Sequence, residues 1–176
     1  MFSKEKSIIV RYLILLLIAI PNLWIFYTLL TTLTVFPIFI LTKFFFHSSL
    51  SGNSIIFSDL GFSVEIVKAC VAGSAYYLLL ILNLSIPEIK IKKRAKMILS
   101  AFGILLGVNI LRIFLMIITY EHFSWPLFNV IHLIIWYSLS IIFIIGIWFW
   151  EVKKFKIKKI PVYSDMKYLL NKRHKK

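Results

Sequence analysis

Apolar positions along this chain run in long blocks, and the blocks are long enough to be read as membrane helices. A span needs about 20 apolar residues. Lys68 to Leu84, Met97 to Thr119 and Leu127 to Trp150 meet that need, the first of them a little short. A fourth region, Ile8 to Phe46, is too long for one helix and has no polar break that would separate two full spans. Pro21 and Pro37 interrupt it, and Thr31, Thr34 and Thr42 recur at roughly helical spacing in its second half. It reads as one span, about Ile8 to Tyr27, followed by a Thr-striped helix that is interfacial or re-entrant. Next, the stretch "NSIIFSDLGFSVEIVKAC" alternates apolar and polar residues on either side of Asp59 to Gly61, which predicts a short hairpin. The fold expected is an all-α integral membrane protein, a compact bundle of about four transmembrane helices with a re-entrant or interfacial helix and a short outer hairpin.

Composition agrees with this class: 60% of residues are hydrophobic and mean hydropathy is +0.90, well above a soluble domain. The apolar blocks use most of the length, so residues 1–151 are expected to form the membrane domain and residues 152–176 a basic cytoplasmic tail. No small-x-small cleavage site follows the first apolar run, which argues against a removable signal peptide.

Charge sets the orientation. Most of the 21 basic residues fall before the first span, in the loop Lys90 to Lys96, or after Trp150. The positive-inside rule places these three segments in the cytoplasm, and so both termini. Residues 46–67 and 120–126, nearly free of lysine and arginine, are placed outside. Parity then requires one span and one non-spanning helix before Phe46. Anionic lipid headgroups suffice as partners for the basic segments, and no nucleic-acid partner is expected.

With that topology the depths of three unusual residues can be compared. Cys70, the single cysteine, lies in the first turn of a span running inward. Arg112 lies roughly 10 Å below the outer end of its span, and His132 roughly 8 Å below the outer start of the last one. All three reach the outer half of the membrane. Cysteine and histidine each have ordinary packing roles in membrane helices. An arginine at that depth costs at least about 2.5 kcal/mol unless it snorkels or meets a polar cavity. Asn109 shares the face of Arg112, Asn129 stands in the same relation to His132, and Ser74 and Tyr77 continue the face of Cys70. Ala69 and Gly73, like Gly103 and Gly107, have the small-xxx-small spacing of closely packed membrane helices.

The segments "ACVAGSAYYLLL", "NILRI" and "NVIHLIIW" resemble the archaeosortase and exosortase family, small archaeal members in particular, whose Cys, Arg and His motifs occur in this order on successive helices. The resemblance covers about Ile55 to Trp150, the expected catalytic core. Exosortases proper carry Cys-Ser-Gly where this chain has Cys70-Val71-Ala72-Gly73, and they have more spans, so exopolysaccharide-linked roles are not carried over. The resemblance implies a membrane cysteine transpeptidase or protease that cleaves a carboxy-terminal sorting signal of exported proteins, transferring the new end to a membrane anchor or to water. The substrates implied carry a short motif, an apolar helix and a basic cluster at the carboxy terminus, and the acceptor implied is a lipid. On motif match Cys70 is the nucleophile, with Arg112 and His132 as its partners and Asn109, Ser74 and Asn129 in support.

The residue types suit this chemistry. A thiol attacks an amide as thiolate, favoured by a helix amino terminus and a nearby cation. Histidine exchanges protons near neutral pH, and arginine keeps its charge when buried. Hydrolysis and transfer both follow from an acyl-thioester, and sequence does not choose between them. The rival from another class is a non-enzymatic, transporter-type membrane subunit in which Arg112 and His132 bind an anionic group. No cofactor is implied, and no metal, since Cys70 and His132 fall short of the usual three or four ligands.

Overall fold

The computed structural model describes residues 24–86, 89–122, 125–135 and 140–157, and helical residues within 9–17. Its elements in order are α1 (Trp24–Phe45), β1 (Ser48–Ser51), β2 (Ser54–Phe57), β3 (Phe62–Glu65), α2 (Lys68–Val71), α3 (Gly73–Leu84), α4 (Ile91–His122), α5 (Trp125–Ile134) and α6 (Ser140–Lys154). The fold is therefore mostly helical with a small antiparallel sheet. Two helices, over Tyr27–Phe45 and Ile91–His122, are long and apolar enough to cross a membrane.

The long helix α4 organises the rest. Its buried residues are Met97, Ala101, Leu105, Asn109, Ile113 and Ile117, a stripe repeating every fourth position. A period of four against 3.6 residues per turn rotates the stripe by about 40° at each step. The apolar face thus winds around the helix instead of pointing one way. With that winding α4 packs against α1, α2, α3, α5 and α6.

The Thr-striped segment differs from the expectation of an interfacial helix. It forms α1, a single helix that continues through Pro37. Thr34 and Thr42 are fully buried beside Leu30, Val35 and Ile38, so the stripe faces the bundle. Thr42 donates its hydroxyl to the Phe39 carbonyl at 2.9 Å, which satisfies it without leaving the helix. A proline is tolerated where neighbouring helices cover the freed backbone. Nine of the twenty residues of the expected span Ile8 to Tyr27 (Ile8, Arg11, Leu15 and 18–23), and the tail beyond residue 157, lie outside the described residues.

The hairpin around Asp59 to Gly61 forms as β2 and β3, with Gly61 at φ +67. The sheet has a third strand, in the order β1-β2-β3. Ser51 pairs with Ser54, leaving Gly52-Asn53 as a two-residue turn with Gly52 at φ +60. Asp59 closes the sheet by accepting from His47 Nδ1 at 2.6 Å and from the His47 amide at 3.1 Å. The hydrogen bonds from His47 hold its carboxyl below the ordinary aspartate value.

The predicted helix Lys68 to Leu84 is broken. Ala72 takes the left-handed conformation, φ 58 and ψ 37, and separates α2 from α3. At the other end of α3, Arg94 donates to the carbonyls of Asn83 at 2.5 Å, Leu84 at 3.0 Å and Ile86 at 2.7 Å. These are last-turn and following carbonyls that a helix leaves without amide partners. Asn83 in turn donates to Glu151 of α6 at 2.9 Å, and both side chains are buried.

Of the small-residue pairs, only Gly73 makes a close contact. A Cβ there would lie 2.8 Å from Tyr27 Cε1, whereas Gly103 and Gly107 have open space. Gly73→Ala should lower the unfolding midpoint, because overpacking costs about 1–3 kcal/mol and exceeds the gain of about 1 kcal/mol from removing a helical glycine. In a Tyr27→Ala background the same change should be neutral or stabilising. Thermal unfolding of the four variants in detergent checks this, and equal losses in both backgrounds would show that the ring is not the obstacle.

Candidate active site

Cys70 is the third residue of the four-residue helix α2, and its amide donates to Val67 at 2.9 Å. Because the chain turns left-handed at Ala72, the Cys70 carbonyl falls at a helix end rather than within a helix. Two side chains from α4 fill the vacant role. Asn109 Nδ2 donates to it at 2.9 Å and Arg112 Nη2 at 3.3 Å. Asn109 belongs to the buried stripe of α4, and Arg112 lies one turn further on, half-buried. The i, i+3 spacing of these two residues is what lets both converge on one oxygen.

A cavity of about 550 Å³ opens beside this junction. Cys70, Arg112 and His132 all line it, from three different helices. Its other walls are mainly apolar, with Ile113, Met116 and Ile117 from α4 and Leu133 from α5. The sulfur is a free thiol and half-buried. His132 is half-buried too, and its Nδ1 has no hydrogen-bond partner among the described residues. A run of ring contacts positions it: Phe57 to Phe62 at 5.0 Å, Phe62 to Tyr120 at 4.7 Å, Tyr120 to Phe128 at 5.2 Å and Phe128 to His132 at 5.7 Å. Such tilted and edge-on pairs favour defined geometry as well as burial. The sheet and α5 are therefore connected through aromatic rings that end on the imidazole.

Ser74 and Asn129 are not part of this arrangement. Both are exposed, and neither lines the cavity. The left-handed residue at 72 resets the helical phase, so Ser74 no longer shares a face with Cys70. On α5 the half-buried positions are Phe128, Ile131 and His132, followed by Ile135 just past its end, and Asn129 lies one residue off that stripe. The neighbour of His132 on its inward face is Phe128. The amino-terminal helix end expected to favour the thiolate is likewise reduced to a single turn.

Strand β3 was not anticipated as a wall of the site. Phe62, Ser63, Val64 and Glu65 all line the cavity, as does Tyr120. A signal existed in sequence: Glu65 is an acidic residue just before an apolar run, at the end of the alternating segment that leads to Cys70. Among the described residues no group of three or more His, Cys, Asp or Glu side chains comes together as a metal site.

Comparison of the chain with protein-family models, curated proteins and solved structures finds no match.

Asn109→Leu should destabilise the protein by about 1–3 kcal/mol, because it takes a buried donor from the Cys70 carbonyl. Hydrogen exchange at the α2 amides should rise with it. Ser74→Ala and Asn129→Ala, at exposed positions, should stay within about 0.5 kcal/mol of the parent. Unfolding in detergent with exchange mass spectrometry compares them, and an Asn109→Leu as silent as the other two would remove the tie to α4 from the account.

Proposed function

We propose that the protein is a membrane-embedded cysteine transpeptidase or protease that cleaves a carboxy-terminal sorting signal of exported proteins. The observation that carries this reading is the shared cavity. Cys70, Arg112 and His132, far apart in sequence, line one pocket whose walls are otherwise mainly apolar, and Arg112 contacts the backbone of Cys70 itself. The resemblance of the three ordered segments to archaeosortases supplies the substrate class.

In this mechanism the Cys70 thiol gives its proton to His132, and the thiolate sulfur attacks the carbonyl carbon of the scissile amide. Arg112 offers a positive charge and further N–H donors beside the tetrahedral oxyanion. His132 returns the proton to the leaving nitrogen as the C–N bond breaks, leaving a thioester on Cys70. Water or an amine of a membrane anchor then attacks the thioester and regenerates the thiol.

The membrane arrangement proposed has about four spans with both termini in the cytoplasm. Trp24–Phe45 is a single continuous helix, long and apolar enough to serve as the outward-running first span. Parity then gives Trp24–Phe45 the spanning role that the sequence assigned to Ile8 to Tyr27. The sheet and the cavity come to lie on the outer side, where exported substrates emerge.

Single cysteines at Ser51 and Lys156 in a Cys70→Ala background test the arrangement. An impermeant thiol reagent on intact cells should label the first and spare the second. Labelling of Lys156→Cys without lysis would overturn the orientation.

Catalysis is tested by substitution at the site. Cys70→Ala and Cys70→Ser should abolish processing, and Arg112→Lys should fail nearly as badly as Arg112→Ala, because lysine lacks the planar fork. Wild-type protein should form a hydroxylamine-sensitive adduct on Cys70, with His132→Ala slowing it. Normal cleavage by Cys70→Ser would sink the covalent mechanism and favour a non-enzymatic subunit that binds an anionic group through Arg112 and His132.

A further inference from the structure

The cavity beside Cys70 is lined by four consecutive residues of one strand, Phe62, Ser63, Val64 and Glu65. Side chains of a strand alternate between two faces, so a cavity beneath a face meets every second residue. Four in succession place this cavity along the edge of β3. Among the described residues that edge is open: β3 is last in the order β1-β2-β3 and pairs there with β2 alone.

The register identifies which backbone groups the edge presents. The Ile66 amide donates to the Asn53 carbonyl at 3.0 Å, which makes these two opposite residues a hydrogen-bonded pair. Bonded and non-bonded pairs alternate in an antiparallel ladder. Ile55–Val64 and Phe57–Phe62 are therefore the bonded pairs, and Ser54–Glu65 and Ile56–Ser63 are not. The N–H and C=O groups of Ser63 and Glu65 consequently point away from β2, towards the cavity. Neither residue takes part in any backbone hydrogen bond outside the ladder among the described residues.

We infer that the substrate enters as an extended peptide that adds to the free edge of β3, pairing its backbone with Ser63 and Glu65 and so lying alongside Cys70. This rests on the reading of Cys70 as the reacting thiol. The occupant follows from the groups offered. Donor and acceptor pairs repeating every second residue, roughly 6.8 Å apart, match another extended polypeptide. A lipid headgroup or a sugar does not present that repeat.

The pairing also predicts specificity. Phe62 and Val64 lie on the face of the sheet that carries buried Ile55 and Phe57, whereas Ser63 and Glu65 are exposed. A paired peptide turns every second side chain towards the Val64 face and the apolar wall of Ile113, Met116 and Ile117. Substrates should therefore carry apolar residues at alternate positions before the scissile bond, with little restriction between them.

The probe is a peptidyl chloromethyl ketone, acetyl-Thr-Val-Thr-Val-Thr-chloromethyl ketone, used on the full chain in detergent, with chloroacetone as the reagent that lacks a peptide. Alkylation of Cys70 is followed by mass spectrometry. The peptide reagent should react at least about tenfold faster than chloroacetone, and N-methylation of single amides should remove that advantage at alternate positions only, where the N–H bonds to β3. Ser63→Pro, which removes an edge-facing N–H and leaves the β2 pairing intact, should abolish the advantage without changing the chloroacetone rate. Equal rates for the peptide and chloroacetone, or N-methyl effects without two-residue alternation on the wild-type protein, would overturn the inference. Alkylation reports binding, not turnover. A processing-dead Cys70→Ser with no N-methyl alternation would refute the edge and spare the nucleophile, and the opposite pair of results would do the reverse.

Discussion

At Ala72 the backbone enters the left-handed region with a side chain that disfavours it, at a cost of about 1–2 kcal/mol. Helix α2 ends there, so the carbonyl of Cys70 faces the bundle without an amide partner of its own helix. Asn109 and Arg112 bond to that oxygen, which places an arginine from another helix beside the only cysteine. Without the break, one continuous helix would carry Cys70 and its carbonyl would be satisfied internally. Arg112 would then have no such anchor in the apolar interior. Strain at residue 72 and the meeting of Cys70 with Arg112 are thus two sides of the same geometry.

The central helix makes this meeting possible over a distance. Its buried stripe winds as it rises, presenting Met97 and Ala101 in its lower part and Asn109 and Ile113 in its upper part. The one polar member of the stripe is the residue that ties α2 down. At the opposite end, Arg94 holds the carbonyls that end α3, and the buried pair Asn83–Glu151 joins α3 to α6. Polar contacts therefore sit at both ends of an otherwise apolar core. Each makes at least one hydrogen bond, as burial in a medium of low dielectric favours, although Asn83 Oδ1 and Glu151 Oε1 have no partner among the described residues.

Much of this was legible in the sequence, because long apolar runs and period-two alternation are strong local signals. The hairpin at Asp59 to Gly61 and the shared face of Asn109 and Arg112 reappear in the structure, and Cys70, Arg112 and His132 line one cavity. What escaped depends on less local features. Strand β1 is three serines and a leucine, too polar for a strand signal, though its Gly-Asn turn was a cue. Ala72 carries no glycine-like mark of a left-handed residue, so the break that exposes Ser74 could not be read from its type. The Thr stripe of α1 resembled an interfacial face because threonine suits either setting. Only the assembled fold shows that Thr34 and Thr42 are buried.

Arg94 and the Asn83–Glu151 pair fasten the end of α3 to α4 and α6, while the residues of α4 that line the cavity, Arg112 to Tyr120, lie towards its other end. In mechanical terms this is a lever with a fixed fulcrum. Arg112 stands eighteen residues along α4 from Arg94, about 27 Å at the helical rise. A rotation of α4 by about five degrees at the fulcrum moves the level of Arg112 by about 2 Å, enough to widen a slot by a good part of a strand's thickness. Since α4 is tied to α2 through the Cys70 carbonyl, the cysteine travels with the arginine. The left-handed link at Ala72 is the point where such a rotation would be taken up, with Cys70 and Arg112 keeping their spacing.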